Sequence, residues 1–162
     1  QAGNVSASAS DSVTRADETA TPAPTVTITE DTNNDGTLTN AEISGDTDIK
    51  IDIPTEAEVG DTLNVTIDGT TTDVTITQDM IDNGYTTSVT PPAEGDTLNV
   101  SATVTDQAGN VSASGSDSVT RADETATAAP TVTITEDTNN DGTLTNAEIS
   151  GDTDIKIDIP TE

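Results

Sequence analysis

The residues best placed to do chemistry form one stretch, Asp31 to Glu42 (DTNNDGTLTNAE), which returns unchanged at 137–148. Its oxygen-bearing side chains fall at fixed offsets: Asp31, Asn33 and Asp35 at positions 1, 3 and 5, Thr37 at 7, Thr39 at 9 and Glu42 at 12. Calcium is chelated by this spacing. Side-chain oxygens come from the first three positions, a backbone carbonyl from the seventh and a bidentate carboxylate from the twelfth, while glycine at the sixth allows the sharp turn. Gly36 meets that need, and Leu38 offers an apolar anchor at position 8. A plain Asn-Asp-Gly turn accounts for Asp35-Gly36 but not for the placing of Asp31, Asn33 and Glu42. The second copy puts Asp137, Asn139, Asp141, Thr143 and Glu148 in the same roles.

Other carboxylates are less specific. Asp46 and Asp48 stand just after the loop, and Asp152 and Asp154 are their counterparts in the second copy. Asp106 ends an alternating run and Asp123 opens a polar segment. A metal shared by Asp106, Asp123 and Asp152 or Asp154 would lock a joint between neighbouring units; ordinary solvated carboxylates are the plainer alternative. Lys50, Arg15 and Arg121 read as surface ion-pair partners.

Composition narrows the chemistry further. The 162 residues carry 31 acidic and 4 basic side chains, a formal charge of −27, with no histidine, cysteine, tryptophan or phenylalanine. Binding to a phosphate backbone needs clustered Lys and Arg, so nucleic acid is not an expected partner. Histidine and cysteine nucleophiles are excluded, leaving only paired carboxylates for catalysis. Those carboxylates are better explained as metal ligands, so neither an enzyme nor a small-molecule substrate is expected. A charge this large repels itself in a compact state unless cations neutralise part of it. Oxygen donors without sulfur or imidazole select a hard ion. No apolar run approaches the ~18 residues of a membrane span, and no signal peptide opens the chain.

The elements that must hold the loop read as strands. Val26 and Ile28 alternate with threonines, and Ile49, Ile51 and Ile53 with Lys50 and Asp52. Leu63, Val65 and Ile67 follow, then Val74 and Ile76, then Leu98 to Val104, with a weaker closing strand over Val111–Val119. Turn signals separate them at Asp35-Gly36, Asp68-Gly69, Asn83-Gly84, Pro91-Pro92 and Ala108-Gly109-Asn110. About seven short strands in roughly a hundred residues predict an all-β immunoglobulin-like sandwich. Its core is small and aliphatic, hence marginally stable without help.

Residues 1–56 align with 107–162 at a constant offset of 106, differing at Ala9 against Gly115 and at Pro22 against Ala128. The chain is therefore one and a half copies of a tandem unit. The proline-containing polar stretches predict stiff linkers. The expected organisation is the C-terminal strand of a preceding repeat at 1–15, a linker at 16–23, a complete repeat at 24–123, a linker at 124–129, and the N-terminal strands of a following repeat at 130–162. The terminal pieces read as a slice of a longer array, completed by neighbours.

The strand end Thr-Asp-Gln-Ala-Gly-Asn-Val-Ser at 105–112 resembles the tandem immunoglobulin-like repeats of large bacterial surface adhesins. With the repeat length, the acidity and the DTNNDGTLTNAE loop, the whole chain is similar to the extender repeats of RTX-type ice-binding adhesins. The resemblance implies export by type I secretion to the cell surface, several calcium ions per repeat, and identical neighbouring repeats as partners in the same chain. It also implies a stalk that holds a separate ice- or ligand-binding domain away from the cell. Asp31, Asn33, Asp35, Thr37 and Glu42 match the loop pattern directly. Two alternatives compete. A dockerin-like calcium-dependent protein-binding module carries its two loops close together on helices, whereas here they lie 106 residues apart beside strands. An adhesive tip that itself contacts ice, glycan or protein needs a platform, and the threonines Thr25, Thr27 and Thr29 offer one short rank.

Overall fold

The computed structural model describes residues 2–161, and the chain divides into two units, 1–123 and 124–162. In the first unit β1, β3, β4 and β7 follow the period-two pattern read above. β1 (Thr25–Ile28), β3 (Thr47–Asp52) and β6 (Tyr85–Val89) form an antiparallel three-stranded sheet in the order β1-β3-β6. β2 (Thr37–Leu38), β4 (Thr62–Ile67), β5 (Thr70–Thr75), β7 (Thr97–Thr105) and β8 (Gly115–Arg121) form a second sheet in the order β2-β8-β7-β4-β5. The inward residues of both sheets meet in one aliphatic core: Ile28, Ile49 and Ile51 from one, Leu38, Leu63, Val100, Val104 and Val119 from the other. This is an all-β sandwich. Each buried Val, Leu or Ile contributes about 1.5–3 kcal/mol, against the conformational entropy of ordering the chain.

Local chemistry explains the connections. β4 and β5 are joined by Asp68-Gly69, with φ of 45° and 81°, the two positive values a tight hairpin requires. Asn83-Gly84, expected as a plain turn, instead ends a short helix, α1 (Gln78–Asn83), capped by the Thr77 side chain, which accepts from the Met80 N–H. Its one buried residue, Met80, packs into the core. The closing strand starts at Gly115 rather than Val111, which makes only an isolated bridge to Thr105. A side chain at position 115 would collide with the carbonyl oxygen of Pro24, so glycine marks where β8 can slide against the chain entering β1.

Residues 2–24 carry no regular secondary structure. Val5 and Val13, in the segment expected as a strand, are 94% and 96% exposed, because no strand lies beside them to accept the ladder. Further along, Thr21 and Pro24 are buried and the Asn110 amide donates to the Asp17 carbonyl at 3.2 Å, so the expected linker lies against the repeat that follows it. The second unit is a two-stranded sheet, β9 (Thr131–Ile134) with β10 (Ile155–Asp158). Its register repeats that of β1 with β3, and Val132, Ile134, Ile155 and Ile157 are exposed. No helix among the described residues is long and apolar enough to cross a membrane.

Candidate metal centre

The acidic loop connects β1 to β3, and its ends are held by their ladder. Ile28 lies opposite Ile49, and the Thr29 N–H and hydroxyl both donate to the Asp48 carbonyl, at 2.9 and 3.2 Å. Glu30, only 7% exposed, closes the neck. Its carboxylate accepts from the Asp48 N–H at 3.1 Å and from the N–H and hydroxyl of Ser44, both at 3.4 Å. Sequence reasoning passed over Glu30; its position directly before the loop and its repeat as Glu136 were the available signals.

Inside the neck, the first position of the pattern organises the turn. Asp31 is 7% exposed, and its two carboxylate oxygens accept from the N–H groups of Asp35 (3.1 Å) and Gly36 (2.8 Å). Asn33 Oδ1 also accepts from the Asp35 N–H at 2.9 Å, and the Asp35 carboxylate accepts from the Thr37 N–H at 2.8 Å and the Asn33 amide at 3.0 Å. Asn34 and Gly36, at φ of 55° and 79°, wind the backbone so that these N–H groups face the loop interior. Glu42 reaches back over the loop. One of its oxygens accepts from the Thr39 N–H (3.0 Å) and hydroxyl (2.7 Å), the other from the Thr32 hydroxyl (3.3 Å). The Thr39 bonds, backbone first, hold the Glu42 carboxyl below its ordinary range, and Glu148 is lowered by the same bonds to Thr145.

The second loop reproduces this geometry residue for residue. Asp137 accepts from Asp141 and Gly142 at 3.1 and 2.9 Å, and Glu148 accepts from Thr145 at 2.9 and 2.7 Å. Asn139, Asp141 and Thr143 repeat the contacts of their counterparts, although this unit has only two strands. The conformation therefore needs only the loop and the strand pair that carries it, not the five-stranded sheet. What differs is the anchor: Leu38 is fully buried in the core, while Leu144 is half-buried.

The donor set suits a hard cation. A buried carboxylate, a second carboxylate, an amide oxygen, the Thr37 carbonyl and Glu42 are all oxygen donors, as calcium prefers. Lys50 pairs with Asp52 and Lys156 with Asp158, away from the loops, while Arg121 donates to the Pro92 carbonyl and to the Asn40 side chain of the loop. As the side chains stand, no three acidic groups among the described residues converge on one point. Their oxygens are engaged with the N–H and hydroxyl groups of the loop itself.

The remaining expected ligands disperse. Asp46 and Asp48 are exposed on the approach to and along β3, and Asp152 and Asp154 are exposed in the C-terminal unit. Asp106 and Asp123 do not come together. Asp106 follows the last residue of β7, whereas the chain reaches Asp123 beyond the opposite end, where Thr97 pairs with Thr120 and Arg121 donates to Asp96. Nine residues at 3.3–3.4 Å per residue separate those ends by roughly 30 Å. Asp106 instead lines a groove of about 710 Å³ with Asp17, Glu56, Glu58 and Asp61, against the entering linker. Asp17 is the counterpart of Asp123 one repeat earlier, so the 106-residue offset held the signal that pairs Asp106 with the preceding linker. The Asn110 amide and N–H hold the Asp106 carboxyl below its ordinary range.

Fold and loop together define an all-β sandwich bearing an acidic twelve-residue loop of calcium-chelating pattern between its first and third strands. Comparison with protein-family models and with curated proteins gives no match.

Proposed function

We propose that the complete repeat is a calcium-rigidified, immunoglobulin-like extender module of a long bacterial surface adhesin. In this reading it serves as a stalk unit that projects a distal ligand- or ice-binding domain. The observation that carries the proposal is the buried Asp31 carboxylate, which gathers the loop backbone about itself while Leu38, seven residues on, is fixed in the core. Calcium would be held by Asp31, Asn33, Asp35, Glu42 and the Thr37 carbonyl, and it supplies charge neutralisation and cross-linking rather than reaction chemistry. The resemblance to the extender repeat of the giant Marinomonas ice-binding adhesin supports the same reading.

Extracellular calcium modules bind at about 10⁻⁴ to 10⁻³ M, and a tenfold excess over Kd adds about 1.4 kcal/mol per site by mass action. Several sites would raise a small aliphatic sandwich from marginal to stable outside the cell and leave it export-competent inside. The test is thermal melting and small-angle scattering in calcium and in chelator. Equal melting temperatures and equal lengths in the two conditions would sink the proposal.

One observation favours a second reading, direct contact with a flat polar ligand such as ice or glycan. The outward face of the five-stranded sheet carries two hydroxyl-rich ranks, not one: Thr71, Thr66, Ser101 and Ser116 lie side by side, as do Thr75, Thr62 and Thr105. Ice-affinity and glycan-array measurements decide between the two; retention there would replace the stalk by a tip.

A further inference from the structure

The acidic loop is bonded directly to the place where the chain leaves the repeat. β2 lies within the loop and runs parallel to the last two residues of β8, Thr37 beside Thr120 and Leu38 beside Arg121. The Thr120 N–H donates to the Gly36 carbonyl at 2.9 Å and the Ala122 N–H to the Leu38 carbonyl at 3.0 Å. Beyond Ala122 the strand is over. The Arg121 guanidinium spans the gap, with Nη2 donating to Asn40 Oδ1 in the loop at 3.2 Å and Nη1 to the Pro92 carbonyl at 3.0 Å. Its Nε is buried without a partner. A planar fork with fixed donors suits such bridging better than a flexible ammonium. One of the four cations in a chain of 31 acids is thus spent on joining the loop, the Pro92 turn and the exit, and Arg15 holds the same position one repeat earlier.

We propose that Arg121 and the segment Gly36–Asn40 form a clamp through which metal closure of the loop fixes the chain leaving the repeat. This rests on the calcium reading above. Arg121 is a positioning residue in it, not a ligand. Coupling of this kind is reciprocal: if closing the loop orders the exit, a held exit tightens the loop for calcium by the same factor. The chain contains its own control. Loop 137–148 has the same sequence and the same internal hydrogen bonds, but among the described residues no strand pairs with Thr143–Leu144 as β8 pairs with Thr37–Leu38. Two identical loops should therefore bind calcium unequally.

The experiment is calorimetric calcium titration of the full chain, with Glu148→Gln to assign the step belonging to the second loop. A spin-label pair at Thr97→Cys and Thr127→Cys reports order at the exit. The wild type is expected to give two steps at least about fivefold apart, the low end of ordinary site coupling, and a spin-label distance distribution that narrows with calcium. Arg121→Gln and Asn40→Ala should merge the steps and leave the distribution broad, while Arg121→Lys restores neither fully. Asn40 is exposed, so its variant keeps the test sound if Arg121→Gln fails to fold. Wild-type affinity and narrowing in Asn40→Ala, or equal affinity of the two loops in the wild type, would overturn the clamp and leave calcium binding standing. Absence of any calcium heat in the wild type would overturn both.

Discussion

Leu38→Ala separates a loop that hangs from the sandwich from one that is part of it. Leu38 is 0% exposed and sits at the eighth loop position, between Thr37 and Glu42, two of the proposed ligands. Its side chain meets the aliphatic core formed by both sheets, while its carbonyl accepts from Ala122. Trimming a fully buried leucine costs about 2.7–5 kcal/mol, depending on how far the cavity collapses. For a domain of this size each kcal/mol lowers Tm by about 4–8 °C, so the main transition should fall by at least about 10 °C. Leu144→Ala makes the same chemical change in the same local sequence, where the leucine is half-buried beside a two-stranded sheet; it should move the transition by no more than a surface substitution does, about 0.5 kcal/mol. Tyr85, the single aromatic residue, lies in β6 of the sandwich, so its fluorescence reports that unit alone. If Leu38→Ala shifted the Tyr85 transition by less than about 1 kcal/mol, or Leu144→Ala shifted it equally, Leu38 would not be the tie between loop and core, because a cavity at an unpacked site costs little.

Four other outcomes are expected. Gly115→Ala, by driving a methyl group into the Pro24 carbonyl, should destabilise the repeat by about 1–3 kcal/mol in chemical denaturation, whereas Ala9→Gly in the exposed N-terminal segment should change nothing measurable. Asp117 accepts the Ile28 N–H at 2.8 Å and so staples β1 to β8; Asp117→Ala should cost about 1–3 kcal/mol for the stranded donor, and Asp117→Asn, which keeps an acceptor, less. Glu42→Gln should abolish calcium-dependent stabilisation at the first loop while leaving the far-ultraviolet spectrum unchanged. The Asp106 carboxyl is lowered in the fold by Asn110, so its contribution is present above its unfolded pKa and lost as pH falls through the folded one; urea midpoints across the acid range should lose that component in Asp106→Asn.

How far the sequence could be read depended on the kind of force involved. Period-two alternation located β1, β3, β4 and β7 because the buried residues there are aliphatic and face one core. β6 escaped because Tyr-Thr-Thr-Ser-Val carries half-buried hydroxyls where a core strand would carry isoleucine. β2 escaped because two residues show no period, and its pairing partner lies more than eighty residues away. α1 was hidden behind Asn83-Gly84, a dipeptide that serves equally as hairpin turn and helix end. Within the loop the spacing of Asp31, Asn33, Asp35 and Glu42 was fully legible, since local hydrogen bonds set its shape. Arg121 was not. Read as a surface cation, it proves half-buried and directed at backbone and amide oxygens, a role set by tertiary packing that no local pattern encodes.

The setting of the loop also decides what it is able to transmit. In a helix-loop-helix hand the loop ends ride on two helices that change their angle, and the motion exposes a groove. Here the ends are opposite residues of an antiparallel ladder, Ile28 and Ile49, with Glu30 bonded across the neck. A one-residue slip in that ladder would turn Val26, Ile28, Ile49 and Ile51 out of the core, so the neck cannot change its register or open by degrees. Whatever a cation does inside must then be expressed on the loop's other side, where its carbonyls meet Thr120 and Ala122. A device anchored in this way has little to sense with and much to stiffen. That asymmetry favours a stalk module over a dockerin-like switch, even though both use the same twelve-residue pattern.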